Sequence, residues 1–276
     1  MTMKKDGKIW IAGMENALHE QSLHGHDIQE KFANRETATV LPDVWIVKMG
    51  GQSIMDRGAA AVKPIIAELV ENKKKGVNFV IGTGGGTRAR HVYSLGLDLN
   101  LPTGMLARLG ASVPVQNARM LQILMAKDGG IMCYPEELEK LPFFLNVGCI
   151  PITSGMPPNE FWEKSSAVGL IPANRTDAGV YLLAEFLGAK GVIYIKDEDG
   201  LYTDDPKKNP DATFIPEITA QELLENGQDD LIVERVVLEY MTRAANVKQI
   251  RIVNGMKPGQ ITAAFNGENV GTLIRA

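Results

Sequence analysis

The chain has 276 residues, a net charge of −4 from 29 basic and 33 acidic side chains, and an apolar content of 45%. That length allows one large domain, or two lobes, with a full core. The near-balanced charge excludes a polybasic nucleic-acid binder or an anionic-membrane binder, and no apolar run approaches the roughly 20 residues that cross a bilayer.

Residues 1–41 read as an N-terminal extension. They hold three of the four histidines (His19, His24 and His26), many charges and no strand-like run. Ile11, Met14, Leu18 and Leu23 form at best a loose helical face. A partly ordered tail and an arm that packs on a neighbouring subunit are both compatible with this pattern, and a signal peptide is not expected. From Val44 the text alternates short apolar strands with helices. Strands are predicted at 44–48, 78–82, 130–134, 149–153, 191–196 and 249–253, and helices near 58–73, 88–97, 110–128 (with Pro114 near its start) and over 180–186, opened by 174–179. This alternation predicts an α/β fold with a mainly parallel sheet covered on both faces. Ligands in such sheets sit at the carboxyl ends of the strands. Two cysteines, Cys133 and Cys149, make neither a disulfide framework nor a zinc spacing, so both are expected buried and reduced, in a cytoplasmic setting.

Two glycine-rich turns leave such strands. The first is Lys48-Met49-Gly50-Gly51-Gln52-Ser53, and the second is Gly82-Thr83-Gly84-Gly85-Gly86-Thr87-Arg88-Ala89-Arg90. Glycine lets backbone N–H groups approach phosphate oxygens, and a following helix adds its positive end. Neither turn has P-loop or dinucleotide-fingerprint spacing. Lys48 would sit at the sheet edge over a cradled phosphate, and Arg90 offers a bidentate guanidinium. Asn174-Arg175-Thr176-Asp177-Ala178-Gly179 opens a helix. Thr176 or Asp177 reads there as an N-cap or first-turn acid, or else Asp177 as a carboxylate that orients Lys48 or a metal. The loop Lys196-Asp197-Glu198-Asp199-Gly200-Leu201-Tyr202-Thr203-Asp204-Asp205-Pro206 is acidic without EF-hand spacing. His91 is the only histidine beyond the extension, so the rest of the chain cannot assemble a histidine-rich metal site.

Taken in order, V-K-M-G-G (47–51), G-T-G-G-G-T-R-A-R (82–90), T-D-A (176–178), K-D-E-D-G-L-Y-T-D-D-P (196–206), I-V-N-G-M-K-P-G (252–259) and G-E-N-V-G-T-L-I (267–274) resemble the amino-acid kinase superfamily, in its uridylate kinase-like branch. The resemblance covers roughly 42–276. It implies a three-layer αβα sandwich in which about 42–165 form an acceptor- or oxyanion-side lobe and about 166–276 a nucleotide-binding lobe. It also implies that Lys48 contacts the transferring phosphoryl group, that Asp177 orients it and that Arg90 holds an acceptor or terminal phosphate. Gly50, Gly51, Gly84, Gly85 and Gly86 would line the phosphates, with Lys196, Asp199, Tyr202, Asp205 and Pro206 around an ATP·Mg²⁺ nucleotide.

Within that branch, G-G-Q-S-I-M-D-R-G (50–58), T-R-A-R-H-V-Y-S (87–94), S-G-M-P-P (154–158) and I-P-A-N-R-T-D-A-G (171–179) are similar to the molybdenum storage proteins. These use ATP to load and hold oxomolybdate clusters in a closed hexameric cage of two subunit types, which implies molybdate or tungstate clusters as the stored ligand here. Here Asn159-Glu160-Phe161-Trp162 stand where the histidine-bearing subunit has its histidines, which implies a histidine-bearing homologous partner, or else self-association as a trimer or hexamer. A uridylate kinase would carry an acid where this chain has Leu101, before Pro102-Thr103-Gly104-Met105-Leu106-Ala107. Leaving a nucleoside donor unpaired there costs about 1–3 kcal/mol. An ATP-hydrolysing storage subunit is therefore the leading expectation. A uridylate or other small-molecule kinase and a non-catalytic nucleotide-binding scaffold are the alternatives.

Overall fold

The computed structural model describes residues 2–5, 8–11, 39–157, 171–228 and 231–276. The chain divides into two units, Met1–Ala38 and Thr39–Ala276. Within the first, β1 (Thr2–Lys5) pairs antiparallel with β2 (Lys8–Ile11), Thr2 lying opposite Ile11. This corrects the expectation that the extension holds no strand. The signal in the sequence is Asp6-Gly7, a dipeptide suited to two-residue hairpin connections. Ile11, expected on a loose helical face, instead ends β2, while Met14, Leu18 and Leu23 of that face lie outside the described residues, as does Asn159-Glu160-Phe161-Trp162.

Among the described residues, the second unit is built on a sheet of eight strands. They are β3 (Trp45–Met49), β4 (Phe79–Thr83), β5 (Gly130–Met132), β6 (Ile150–Ser154), β7 (Gly191–Lys196), β10 (Glu217–Thr219), β11 (Gln249–Asn254) and β12 (Thr272–Arg275), in the spatial order β10-β12-β11-β7-β3-β4-β6-β5. The six strands from β11 to β5 are parallel; β12 runs antiparallel to β11, with β10 parallel to β12. A separate small ribbon pairs β8 (Leu201–Tyr202) with β9 (Phe214–Ile215). The strands β8, β9, β10 and β12, two to four residues long, carry too little periodicity to stand out in the sequence.

Period-two alternation explains why the central strands are apolar throughout. In β3, Ile46 faces a core shared with Tyr181, Val192, Tyr194 and Val237, while Trp45, Val47 and Met49 face a second core with Ile65, Leu69, Leu121, Ile193 and Ile195. The first core is closed by α5 (Thr176–Leu187), α6 (Ala220–Glu225) and α7 (Arg235–Met241), and the second by α1 (Ala59–Lys74), α8 (Gln260–Phe265) and the C-terminal part of α3 (Thr103–Met125). The result is the expected three-layer sandwich. Two further helices among the described residues are α2 (Thr87–Asp98) and α4 (Leu141–Asn146), and Leu141 and Leu145 of α4 join the first core. Helix α2 and the N-terminal part of α3 share a small apolar cluster of Ala89, Tyr93, Leu106 and Val113.

Helix α3 begins earlier than its proline suggests. Pro114 invites placement at a helix start, yet the helix opens at Thr103 and carries Pro114 inside it. The buried series Leu106, Ala107, Gly110, Ala111, Val113, Asn117, Ala118, Leu121 and Met125 continues at helical spacing on both sides of the proline. Packing along that whole face outweighs the one hydrogen bond that a proline forfeits to the Gly110 carbonyl.

Candidate active site

The alternation that sorts the core also assembles the floor of the site. Lys48 follows Ile46 by two residues in β3, and Lys196 follows Tyr194 by two in β7, so both project toward the α5 face. The strands are parallel neighbours, with Lys48 opposite Tyr194. Gly82 of β4 lies opposite Lys48, and a Cβ there would press into Val180 at 2.5 Å, so this glycine lets α5 approach closely. The first turn of α5 thereby brings Asp177 between the two lysines. Lys48 Nζ is 2.6 Å from Asp177 Oδ1 and Lys196 Nζ is 3.2 Å from Oδ2. Lys48 and Asp177 are each only 5% exposed. Burial alone would push the Asp177 carboxyl up, but the charges of Lys196 and Lys48 overcome it and hold the group well below the usual carboxylate range. Burial also lowers Lys196, opposed by Asp177 and aided by Lys48. Tyr194 donates its hydroxyl to the Asp177 backbone oxygen at 2.9 Å, fixing the turn from below.

Above this triad the two glycine turns lie backbone to backbone. A Cβ on Gly51 would collide with the Gly86 nitrogen, and one on Gly84 would lie 2.5 Å from the Gly51 nitrogen. Gly50 N–H donates to the Ile195 carbonyl and Gly84 N–H to Met49, so these two amides are spent in joining strand ends. The turns and triad wall a cleft of about 770 Å³, ample for a nucleotide. Among the described residues its walls carry the cations Lys48, Arg57, Arg90, Arg175, Lys196, Lys207 and Arg235 against the carboxylates Asp177, Asp197 and Glu234. Seven positive groups against three negative ones, in a chain whose net charge is −4, give the cleft an excess of positive charge suited to an anion. The amino acid kinase family profile matches residues 43–254.

The chain belongs to the amino acid kinase family. It is 46% identical over 265 residues to the molybdenum storage protein subunit beta of Azotobacter vinelandii, across 96% of this chain and 98% of that protein. This bears out the kinship with molybdenum storage proteins read from the motifs. It is also 31% identical to a uridylate kinase of Thermofilum pendens, across 84% of this chain and 97% of that one. Among solved structures, the uridylate kinase of Archaeoglobus fulgidus (TM-score 0.63, 21% identity, 83% of this chain and 99% of that one) and the UMP kinase of Bacillus anthracis (TM-score 0.67, 18% identity, 85% and 96%) share the fold.

Against that family pattern, Lys48, Asp177, Arg90, Lys196 and the glycines Gly50, Gly51, Gly84, Gly85 and Gly86 all lie on the cleft. Asp199, Tyr202, Asp205 and Pro206 do not line it. Asp199 accepts from Asn254 Nδ2 (2.9 Å) and pairs with Lys257 (2.7 Å), the Tyr202 ring meets Phe214 edge-on, and Asp205 pairs with Lys208 at 3.0 Å. The acidic loop reaches the cleft instead through Asp197 and Lys207. Asp197 pairs with Arg57, which follows the first glycine turn. Leu101 is likewise off the cleft wall, packed on the cluster around Tyr93 and Leu106.

Neither Thr176 nor Asp177 caps α5 through its side chain. The cap is Glu234, 57 residues further along, and sequence spacing alone gives no sign of it. Its carboxylate accepts from the N–H groups of Arg175 (3.2 Å), Asp177 (3.2 Å) and Ala178 (3.0 Å). Burial, then the Asp177 charge, pushes Glu234 above the ordinary carboxylate value, against the pull of Arg175 and the Ala178 amide. Exchange of Glu234 for alanine should cost about 1–2 kcal/mol in urea unfolding, the usual loss of a good N-cap. A change within about 0.3 kcal/mol would show that the helix end is satisfied without it.

Proposed function

We propose that this chain is an ATP-binding and ATP-hydrolysing subunit of an oxometalate store for molybdate or tungstate. The observation that carries the reading is the Lys48–Asp177–Lys196 triad, with Lys48 and Asp177 buried and Lys196 partly buried, at the floor of a cationic cleft walled by two glycine turns. Phosphoryl transfer needs little covalent chemistry from a protein; it needs fixed positive charge where negative charge develops. Lys48 meets the reacting phosphoryl group, Asp177 holds Lys48 and Lys196 in place, and Arg90 and Arg57 take outer phosphate or oxyanion oxygens. The described residues hold no group of three or more His, Cys, Asp or Glu side chains fit to bind a metal, and each cleft carboxylate is already paired with a cation. With such a donor set, Mg²⁺ would be held chiefly by the nucleotide's own phosphates and would supply charge neutralisation there.

The storage reading is favoured over the kinase reading by the 46% identity to a storage subunit and by Leu101, which turns its apolar side chain to a core cluster and offers no acceptor to a nucleoside. Its partner is a homologous subunit bearing histidines where this chain has Asn159-Glu160-Phe161-Trp162, with residues 1–41 as an inter-subunit arm. The test is metal retained after co-expression with molybdate or tungstate, with and without such a partner. Retained molybdenum or tungsten supports the store; none in either case overturns it. ADP release stimulated strongly by one nucleoside monophosphate would favour a kinase, and acceptor-independent release the store. Among the described residues no helix is long and apolar enough to cross a membrane.

A further inference from the structure

The second glycine turn is held from behind by a residue that never reaches the cleft. Asn117, fully buried in α3, donates through Nδ2 to the backbone carbonyls of Gly84 (2.5 Å) and Gly85 (3.4 Å), while its Oδ1 accepts from the Arg88 guanidinium. A guanidinium can only donate, so the orientation of the amide is set, with oxygen toward Arg88 and nitrogen toward the carbonyls. In a planar trans peptide, a carbonyl and the N–H that follows it point to opposite sides. Drawing the Gly84 and Gly85 carbonyls toward α3 therefore turns the N–H groups of Gly85 and Gly86 away from it. Both glycines line the cleft and Asn117 does not. Among the described residues neither N–H has an acceptor.

We propose that Asn117 is a positioning residue that makes this turn a two-amide anion hole for the phosphate chain of the nucleotide. The inference rests on the nucleotide reading of the cleft. A run of three glycines left to itself samples both peptide orientations, and an inward carbonyl would set negative charge against phosphate. Asn117 removes that orientation for two consecutive peptides. Arg88, which does not line the cleft, acts by holding Asn117 rather than by touching ligand.

Asn117→Asp isolates this role. It keeps the shape and an oxygen for Arg88, but it puts a carboxylate oxygen where Nδ2 met two carbonyls. Inorganic tripolyphosphate, ATP and adenosine are titrated against the full chain with and without the substitution, with thermal unfolding alongside. Loss of two aligned amides should weaken tripolyphosphate and ATP about 10–100-fold and leave adenosine within about twofold. Tripolyphosphate affinity unchanged within about twofold overturns the inference, as does an equal loss for adenosine, which would mark a merely structural role. An unsubstituted chain that binds neither tripolyphosphate nor ATP overturns the nucleotide reading itself, and this inference with it. Should Asn117→Asp fail to fold, Arg88→Ala frees the Asn117 amide to rotate and carries the same comparison, with a smaller loss in the same direction.

Discussion

Lys48→Met should lower ATP turnover about 10²–10³-fold, the cost of removing one fixed donor aimed at developing charge, while nucleotide affinity falls by less than about tenfold. The two effects separate because binding is shared and the chemistry is not. Arg90, Lys196, Lys207 and the glycine turns still line the cleft, but of these cations only Lys48 both pairs with Asp177 and lies on the strand that runs into the first glycine turn. Methionine keeps the apolar stem in its buried slot. Asp177 keeps Lys196 at 3.2 Å, so no carboxylate is stranded. Phosphate release from ATP·Mg²⁺, measured with titration of ATP binding, checks the split. Turnover within threefold of the unsubstituted chain would mean that the reacting phosphate lies elsewhere. No turnover in the unsubstituted chain, with ATP binding intact in both, would favour a non-catalytic scaffold.

Much of this arrangement is legible in the sequence because it rests on local periodicity. Strand alternation alone puts Lys48 on the side of Ile46 and Lys196 on the side of Tyr194, and two glycine-rich turns after apolar strands mark the ligand end of the sheet. What escapes the sequence depends on distant contacts. Glu234 caps α5 from 57 residues away, and Asn117 reaches the glycine turn from 32 or 33 residues away. Both look like ordinary helix or loop polar residues in the text. The 196–206 motif is recognisable as a string, yet Asp199 and Asp205 turn to Lys257 and Lys208 while Asp197 and Lys207 face the cleft. A loop with only a two-residue strand has no period from which to read direction. Pro114 misleads for the opposite reason: a local rule places it at a helix start, and the packing of a whole helix face carries the helix through it.

The strongest effect on stability should come from Asp177→Asn. Removing one partner of a buried ion pair typically costs about 3–5 kcal/mol, because the remaining charge is left uncompensated, and here two ammonium groups lose the same carboxylate. A shift of the urea midpoint by that free energy, at unchanged slope, is the expected result. The sign of the pH dependence follows from the depressed carboxyl. Its folded pKa lies below the unfolded value near 4. Its stabilisation is therefore complete above about pH 4 and is lost as pH falls through the folded value, so the gap between the two proteins should be constant from pH 5 to 7 and should narrow below about pH 4. A second substitution distinguishes charge from packing. In Asp177→Asn with Lys196→Met only one buried cation remains, so the double variant should recover part of the loss, as expected when ions are replaced by apolar groups of similar size. A double variant less stable than Asp177→Asn alone would show that Lys196 holds the fold by packing, and that the carboxylate is not what keeps two like charges together beneath the cleft.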